Sequence, residues 1–368
     1  MRVVRSYISL TKPRVVVLLQ ITAMCAILSH DLMENMSHNN IKLNGIDIET
    51  IKNMMIVFIG GYLTAGGANS INMWYDRDID PIMTRTSKRP LSIGAISPHG
   101  ALLFGVTISL LGTIWLSKMA NDVAAFWALF SILFYTFIYT IWLKRRSTQN
   151  IVIGGIAGST PPVIGWSAAE GNLDISIDSL QEFINSIFDI GGYMPWFMFL
   201  LIFLWTPPHF WALALYRSEE YKKVGVPMMP NVKGKQRTLV EMKVYSVALI
   251  LLSSTSIFLI PTVTNWSSMM DFIPVYLLNI LSFGIIGLNT LMLSFWYAST
   301  VWKIDTQEDS DENNRMPTAS RSFFISLSYL AFMFVVLVLS CIGFEGSILG
   351  MILSIVVIFR SRVNKNNF

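Results

Sequence analysis

Charge is scarce in this sequence. Of 368 residues only 14% are Asp, Glu, Lys or Arg, against about 25% in an ordinary soluble domain. Hydrophobic side chains make up 53%, with 20 Met, 23 Phe and 11 Trp, far more than one soluble core of this length can hide. A water-soluble globule is excluded. Cysteine is nearly absent: Cys25 and Cys341 both lie in apolar runs, which excludes a disulfide framework and a four-cysteine zinc or iron–sulfur site. Both read as small buried hydrophobes. Of the four histidines, His30, His38 and His99 fall near span ends or in loops, where a solvated ring is expected. No dense basic tract exists either, and the net charge of +4 is spread over short loops, so no nucleic-acid partner is expected.

What the chain has instead is a series of apolar runs near the length that crosses a bilayer, about 20 residues. They fall at approximately 14–32, 53–74, 100–118, 122–142, 150–169, 194–216, 241–262, 273–301 and 321–342, with a shorter tenth run at 346–359. The expected architecture is an all-α, polytopic helical bundle in a lipid membrane. Lysine and arginine collect in cytoplasmic loops. With the N-terminus inside and ten spans, 24 of the 27 fall on the inner side, leaving only Lys42, Lys52 and Lys118 outside. The basic start followed by an apolar run reads as an uncleaved first helix rather than a signal peptide, because no small-residue cleavage pattern follows Leu28. The long outer loops at 33–52 and 170–193 have room for short surface helices. Asn265 in NWS reads as a chance match to a glycosylation triplet.

Chemistry concentrates at inner span ends. The second span closes on NSINMWYDRDID, where Asn72, Asp76 and Asp80 are spaced i, i+4, i+8 and would share one helical stripe. Two carboxylates and an amide oxygen are hard ligands suited to Mg²⁺ shared with substrate phosphates. Flanking charge explains arginines well but not an oxygen stripe, since acidic groups gain nothing from the positive-inside bias. Arg85, Lys88 and Arg89 follow, able to bind anionic oxygens. Lys144, Arg145 and Arg146 end the fourth span on the same face, where one can reach a diphosphate or simply mark topology. Trp74, Tyr75, Tyr135, Tyr139 and Trp142 add aromatic faces, belt residues or carbocation neighbours.

The sixth span ends on a mixed cluster, Arg217, Glu219, Glu220, Lys222 and Lys223. Two such ends, four spans apart, suggest two similar four-helix halves facing a central cavity; Glu219 and Glu220 read equally well as a solvated loop or as ligands. His209 is the one histidine deep in an apolar run, hence a candidate substrate or porphyrin contact or an interhelical bond. Pro207 and Pro208 before it predict a kink.

TKPR at the start, N-x-x-x-D-R-D-x-D with RT-x-x-RPL, YT-x-W-LKRR-x-x-QN, PP-x-IGW, LWTPPHFWALA and YR-x-x-[acidic]-Y-x-x-x-GVPM together make the chain similar to the UbiA superfamily of intramembrane prenyltransferases, and within it to the branch that farnesylates heme. The resemblance covers roughly residues 6 to 342. It implies nine core spans around a cavity within a membrane domain at 1–342, and leaves 343–368 as a C-terminal extension with a possible extra span. It implies Mg²⁺ as cofactor, farnesyl diphosphate and heme b as substrates, and transfer to the 2-vinyl group to give heme O at the inner face of the plasma membrane. It makes Asn72, Asp76 and Asp80 the metal side, with Arg85, Lys88 and Arg89 acting beside the two aspartates. The second acidic motif departs from the family pattern: Tyr216 and Glu220 stand where aspartates four apart are usual. Glu220 becomes the better second ligand, on Tyr216's stripe if the sixth helix continues that far. Lys144, Arg145, His209, Arg217 and Glu220 become substrate-side residues. Heme A synthase or terminal-oxidase assembly factors are the partners it suggests.

The alternatives are a related prenyltransferase with another acceptor or a longer tail, a membrane transporter, and a heme carrier. A transporter more often places its ion site near the midplane. A carrier needs axial ligands, usually two histidines or His with Met, and only His209 lies well inside a span.

Overall fold

The computed structural model describes residues 2–37, 46–259, 274–308 and 316–363; His38, Lys42, Asn265, Arg315 and Lys365 lie outside them. Fifteen α-helices follow one another: α1 (Arg2–Leu10), α2 (Pro13–Ser37), α3 (Ile48–Tyr75), α4 (Pro98–Met119), α5 (Asp122–Leu133), α6 (Asn150–Ser159), α7 (Pro161–Glu170), α8 (Leu180–Phe188), α9 (Met194–Tyr216), α10 (Ser218–Lys223), α11 (Met229–Lys233), α12 (Lys235–Ser254), α13 (Val275–Trp302), α14 (Pro317–Ser340) and α15 (Phe344–Val363). Among the described residues ten stretches are long and apolar enough to cross a membrane, the last at Phe344–Ser361. The tenth run is therefore helical over a spanning length.

Capping side chains, rather than hydropathy, fix several helix starts. Asp47 accepts from the Thr50 amide while the Thr50 hydroxyl answers the Asp47 backbone, a reciprocal box that satisfies two orphan donors. Ser97 caps α4 ahead of Pro98, and Asn121 caps α5 through the Ala124 amide. Asn121 also donates to the carbonyls of Ser167 and Gly171 at 2.6 and 2.7 Å, which ties the fourth span to the end of the fifth.

Around the bundle α2 packs on α3 and α7, α3 on α4, α4 on α5, α9 on α6, α12 and α14, and α13 on α12 and α14. Contact of α14 with α2 closes the ring, and α15 lies outside it against α13 and α14. The α3–α4 contact is tight because Gly67 faces Gly105: a Cβ on Gly67 would stand 2.6 Å from the Gly105 carbonyl oxygen. Lipid-facing positions remain apolar, for example Leu103, Leu110 and Ile114 on α4, each more than half exposed, which is the pattern of a chain solvated by hydrocarbon rather than water.

The predicted surface helix in the loop at 170–193 is α8. Prolines 207 and 208 sit inside α9 without interrupting it. His30 departs from expectation. It is only 7% exposed, with Nδ1 at 2.7 Å from Asp31 and Nε2 at 2.8 Å from Glu170, and Thr50 donates to Asp31 as well. Tertiary packing of α2 on α7 supplies the second carboxylate from far along the chain, so a ring at a span end is held rather than solvated. His99 is exposed as expected.

Candidate active site

The stripe of Asn72, Asp76 and Asp80 survives, but not on one helix. α3 ends at Tyr75, and the chain continues as two 3₁₀ turns, Asp76–Asp78 and Asp80–Ile82, the second carrying Pro81. Proline lacks an amide donor and clashes with the carbonyl four residues before it, so the α-helix does not resume through Asp80. All three side chains are nonetheless buried, at 3%, 0% and 3% exposure, and a cation meets each.

Lys12 donates to the Asn72 carbonyl oxygen at 2.8 Å, while the Asn72 amide nitrogen donates to Thr140 at 3.1 Å. Lys144 pairs with Asp76 Oδ2. Arg89 pairs with Asp80 at 2.6 Å, and the Thr86 hydroxyl fixes the Asp80 backbone at 2.7 Å. Arg145 grips Asp78 through both terminal nitrogens at 2.7 Å, lies over the Tyr75 ring at 4.8 Å, and comes within 3.8 Å of Asp76 Oδ1. That Oδ1 is buried and, among the described residues, accepts no hydrogen bond.

Lys12 entered the sequence reading only through its charge and the TKPR motif, without a role at the site. Its backbone is left-handed, with φ of +51°, a conformation costing about 1–2 kcal/mol for a residue with a Cβ. The signal was Pro13, which disfavours the right-handed helical region for the residue before it. Burial, with Arg89 and Lys144 near, pushes the Lys12 ammonium down to about 7.

The fourth span carries the opposite wall. After α5 it widens into a π-helix, Phe134–Leu143, a local form frequent at functional sites. It presents Thr140 to Asn72 and delivers Lys144 to Asp76, with Tyr135 and Tyr139 stacked 5.2 Å apart. Arg85 and Lys88 are exposed at the rim.

The second cluster is built differently from expectation. α9 stops at Tyr216 and α10 begins at Ser218, so Tyr216 and Glu220 do not share a helical stripe; Arg217 leaves helical geometry between them. Glu220 accepts from Arg217 at 2.8 Å, and its other oxygen is buried with no hydrogen-bond partner among the described residues. The connection to the first cluster runs through Tyr221, which sequence reasoning passed over. Its phenol is raised by burial and lies within electrostatic reach of Arg85, Tyr139, Lys144 and Glu220.

His209 sits apart, about two turns before the end of α9. It stacks between Trp205 at 4.2 Å and Phe323 at 4.6 Å, with Nδ1 at 2.6 Å from Ser326 Oγ. These contacts lock α9 to α14.

Below Asn72 a small cavity of about 60 Å³ runs between α2, α3, α5, α6 and α7, lined largely by small side chains such as Ala23, Gly61, Ala65, Ala68, Ala128 and Ala157. Chemically the site is thus a polar end where cations outnumber carboxylates, set over an apolar interior. It suits a polyanionic head on an apolar tail. The donor set also fits Mg²⁺: hard oxygens from Asn72, Asp76 and Asp80, one of them the unbonded, buried Asp76 Oδ1.

The UbiA prenyltransferase family matches residues 44–327, and the chain belongs to that family. It is an integral membrane protein and a prenyltransferase. Protoheme IX farnesyltransferase of Bartonella tribocorum is 36% identical over 331 residues, spanning 90% of this chain and 89% of that one. The protein of the same name from Symbiobacterium thermophilum is 43% identical over 249 residues, 68% and 72% of the two chains. Among solved structures, a digeranylgeranylglyceryl phosphate synthase superposes with a TM-score of 0.63 at 18% identity, covering 93% of this chain and 99% of that one. A UbiA homologue from Archaeoglobus fulgidus bound to DMAPP and Mg²⁺ gives 0.53 at 16% identity, covering 90% and 99%. These likenesses show the same helical fold.

Proposed function

We propose that the protein transfers the farnesyl group of farnesyl diphosphate to the 2-vinyl group of heme b, producing heme O, with the site on the cytoplasmic side of the plasma membrane. The observation that carries the diphosphate reading is the juxtaposition of Asn72, Asp76 and Asp80 with Lys12, Arg89, Lys144 and Arg145 at one end of the bundle. The names of relatives that match over most of the chain supply the acceptor and the tail. The A. fulgidus homologue, bound to a prenyl diphosphate and Mg²⁺, supports the cofactor. The inner-side excess of Lys and Arg supports the orientation.

Asn72, Asp76 and Asp80 would hold the metal, with Glu220 in reserve from the second cluster. Bound Mg²⁺ supplies charge neutralisation of the diphosphate leaving group. The protein's own part begins with binding. Lys12, Arg89, Lys144 and Arg145, which stand beside Asn72, Asp80, Asp76 and Asp78, take the remaining phosphate oxygens and stabilise the departing charge. The allylic C–O bond breaks with its electron pair leaving on diphosphate. Stacked Tyr135 and Tyr139 offer π faces to the carbocation, and the apolar side chains of the bundle interior exclude water from it. The vinyl terminus attacks, forming the new C–C bond; water adds to the resulting cation and a proton is lost, leaving a hydroxyethylfarnesyl group.

Purified protein given farnesyl diphosphate, heme b and Mg²⁺ should release diphosphate and form a farnesylated heme, with neither product when Mg²⁺ is chelated. Diphosphate release with another aromatic acceptor but not with heme would overturn the acceptor while keeping the class. We further propose that residues 343–368, including α15, are an extension to the core domain.

A further inference from the structure

The first helix lies at the margin of the bundle. α1, RVVRSYISL, segregates its residues at about 100° per step: Arg5, Ser6 and Ser9 on one side, Val3, Val4, Tyr7, Ile8 and Leu10 on the other. Part of the apolar side is used. Leu10 is buried with Met73, Ile96 and Ala101, and Tyr7 meets the Phe104 ring edge-on at 5.0 Å. The rest is not: Val3, Val4 and Ile8 are 62%, 63% and 51% exposed. A few residues on in the chain, at the start of the first span, Val15, Val17 and Leu18 are exposed as well, so exposed apolar side chains stand on both sides of the Thr11–Lys12 turn.

The turn that follows α1 reaches the candidate active site directly. Thr11 bonds to the Tyr62 hydroxyl at 2.9 Å and its carbonyl accepts from Asn69 at 3.3 Å. Gly66 lies under it so closely that a Cβ there would stand 3.0 Å from the Thr11 side chain. The next residue is Lys12, left-handed and bonded to Asn72. A strained backbone persists only where its surroundings hold it, and what holds this one on the N-terminal side is α1.

We infer that α1 is a membrane-surface helix, lying on the inner leaflet with Val3, Val4 and Ile8 in the acyl boundary and its arginine side toward acidic headgroups, and that this seating positions Lys12 against Asn72. The chemistry is that of interfacial amphipathic helices, in which apolar burial and attraction to anionic lipid act together. Lys12 is here a positioning target of the lipid contact. That it then serves a diphosphate rests on the prenyl-transfer reading; the location of α1 does not.

The test uses the full chain with Cys25 and Cys341 replaced by Ala, in nanodiscs of phosphatidylcholine and phosphatidylglycerol. Spin labels placed singly at Val4, Ile8 and Ser9 are probed with oxygen, which partitions into lipid, and with a water-soluble nickel chelate. Labels at Val4 and Ile8 should favour oxygen and the label at Ser9 the chelate; chelate access at all three overturns the proposal. In parallel, acylation of Lys12 by a water-soluble amine reagent is read by mass spectrometry. Val4→Asp/Ile8→Asp should raise Lys12 labelling about tenfold by unseating the helix, and Val4→Leu/Ile8→Leu should leave it at the wild-type level. Lys12 equally protected in both variants would show that protein contacts alone hold the turn, which also overturns the proposal. Should the double aspartate variant fail to fold, the depth series still decides. Neither measurement depends on turnover, so loss of the heme or farnesyl reading and loss of this one are distinguishable.

Discussion

Lys12 and Asn72 are joined by a 2.8 Å hydrogen bond that no regular element supplies: the donor hangs from a left-handed turn before the first span and the acceptor from the last turn of the second. Lys12→Gly relieves the backbone strain while deleting the ammonium, so the variant should be at least as resistant to thermal unfolding as wild type. Farnesyl diphosphate turnover should fall by about tenfold to a hundredfold, or ~1.4–2.7 kcal/mol of barrier. Wild-type kcat/KM in this variant would remove Lys12 from the site.

Asp76→Asn and Asp80→Asn each delete a carboxylate charge while keeping a similar shape. Both proteins should insert and purify in near-normal yield, yet lose more than about tenfold in rate. Turnover measured beside membrane yield checks this, and activity close to wild type would end the metal assignment. Asp76→Asn should have the larger effect, since Asp76 is fully buried between Lys144 and Arg145.

Glu220 shares its charge between Arg217 and the unbonded, buried Oε2. Glu220→Gln should raise the Mg²⁺ concentration for half-maximal rate, because one negative charge is lost near the cation. Since Arg217 and Glu220 touch, Glu220→Gln and Arg217→Gln should be non-additive by about 0.5 kcal/mol or more in a double-mutant cycle on kcat/KM. Strict additivity together with an unchanged Mg²⁺ requirement would place the pair outside the diphosphate site.

His209→Ala empties the space between Trp205 and Phe323 and leaves Ser326 without its imidazole partner. Truncating a buried aromatic side chain costs on the order of 3 kcal/mol, so the melting temperature in detergent should drop clearly. Activity per folded molecule should be largely kept. A stable variant that has lost only heme affinity would instead assign His209 to the acceptor.

Much of this molecule was legible in one dimension because a bilayer leaves the chain few options. Unpaired backbone groups are intolerable in hydrocarbon, so runs of apolar residues near bilayer length had to be helices, and their number followed from composition. Asn72, Asp76 and Asp80 were visible for the same reason: acidic and amide groups gain nothing at a span end unless something binds them. What the linear pattern left open was every contact made across the bundle. α3 ends at Tyr75, between the stripe's members, yet folding of the 3₁₀ turns keeps them on one side, and α9 stops short of Glu220, with Tyr221 packed in one cluster with Ile79. His30 gains Glu170 from far along the chain, and His209 gains Phe323 and Ser326. Lys12 draws its place from a turn whose geometry Pro13 permits and α1 enforces. Periodicity specifies which face of a helix is apolar, but a polar side chain's partner is set by which helices lie next to it, and that is decided only when the ring closes from α14 onto α2.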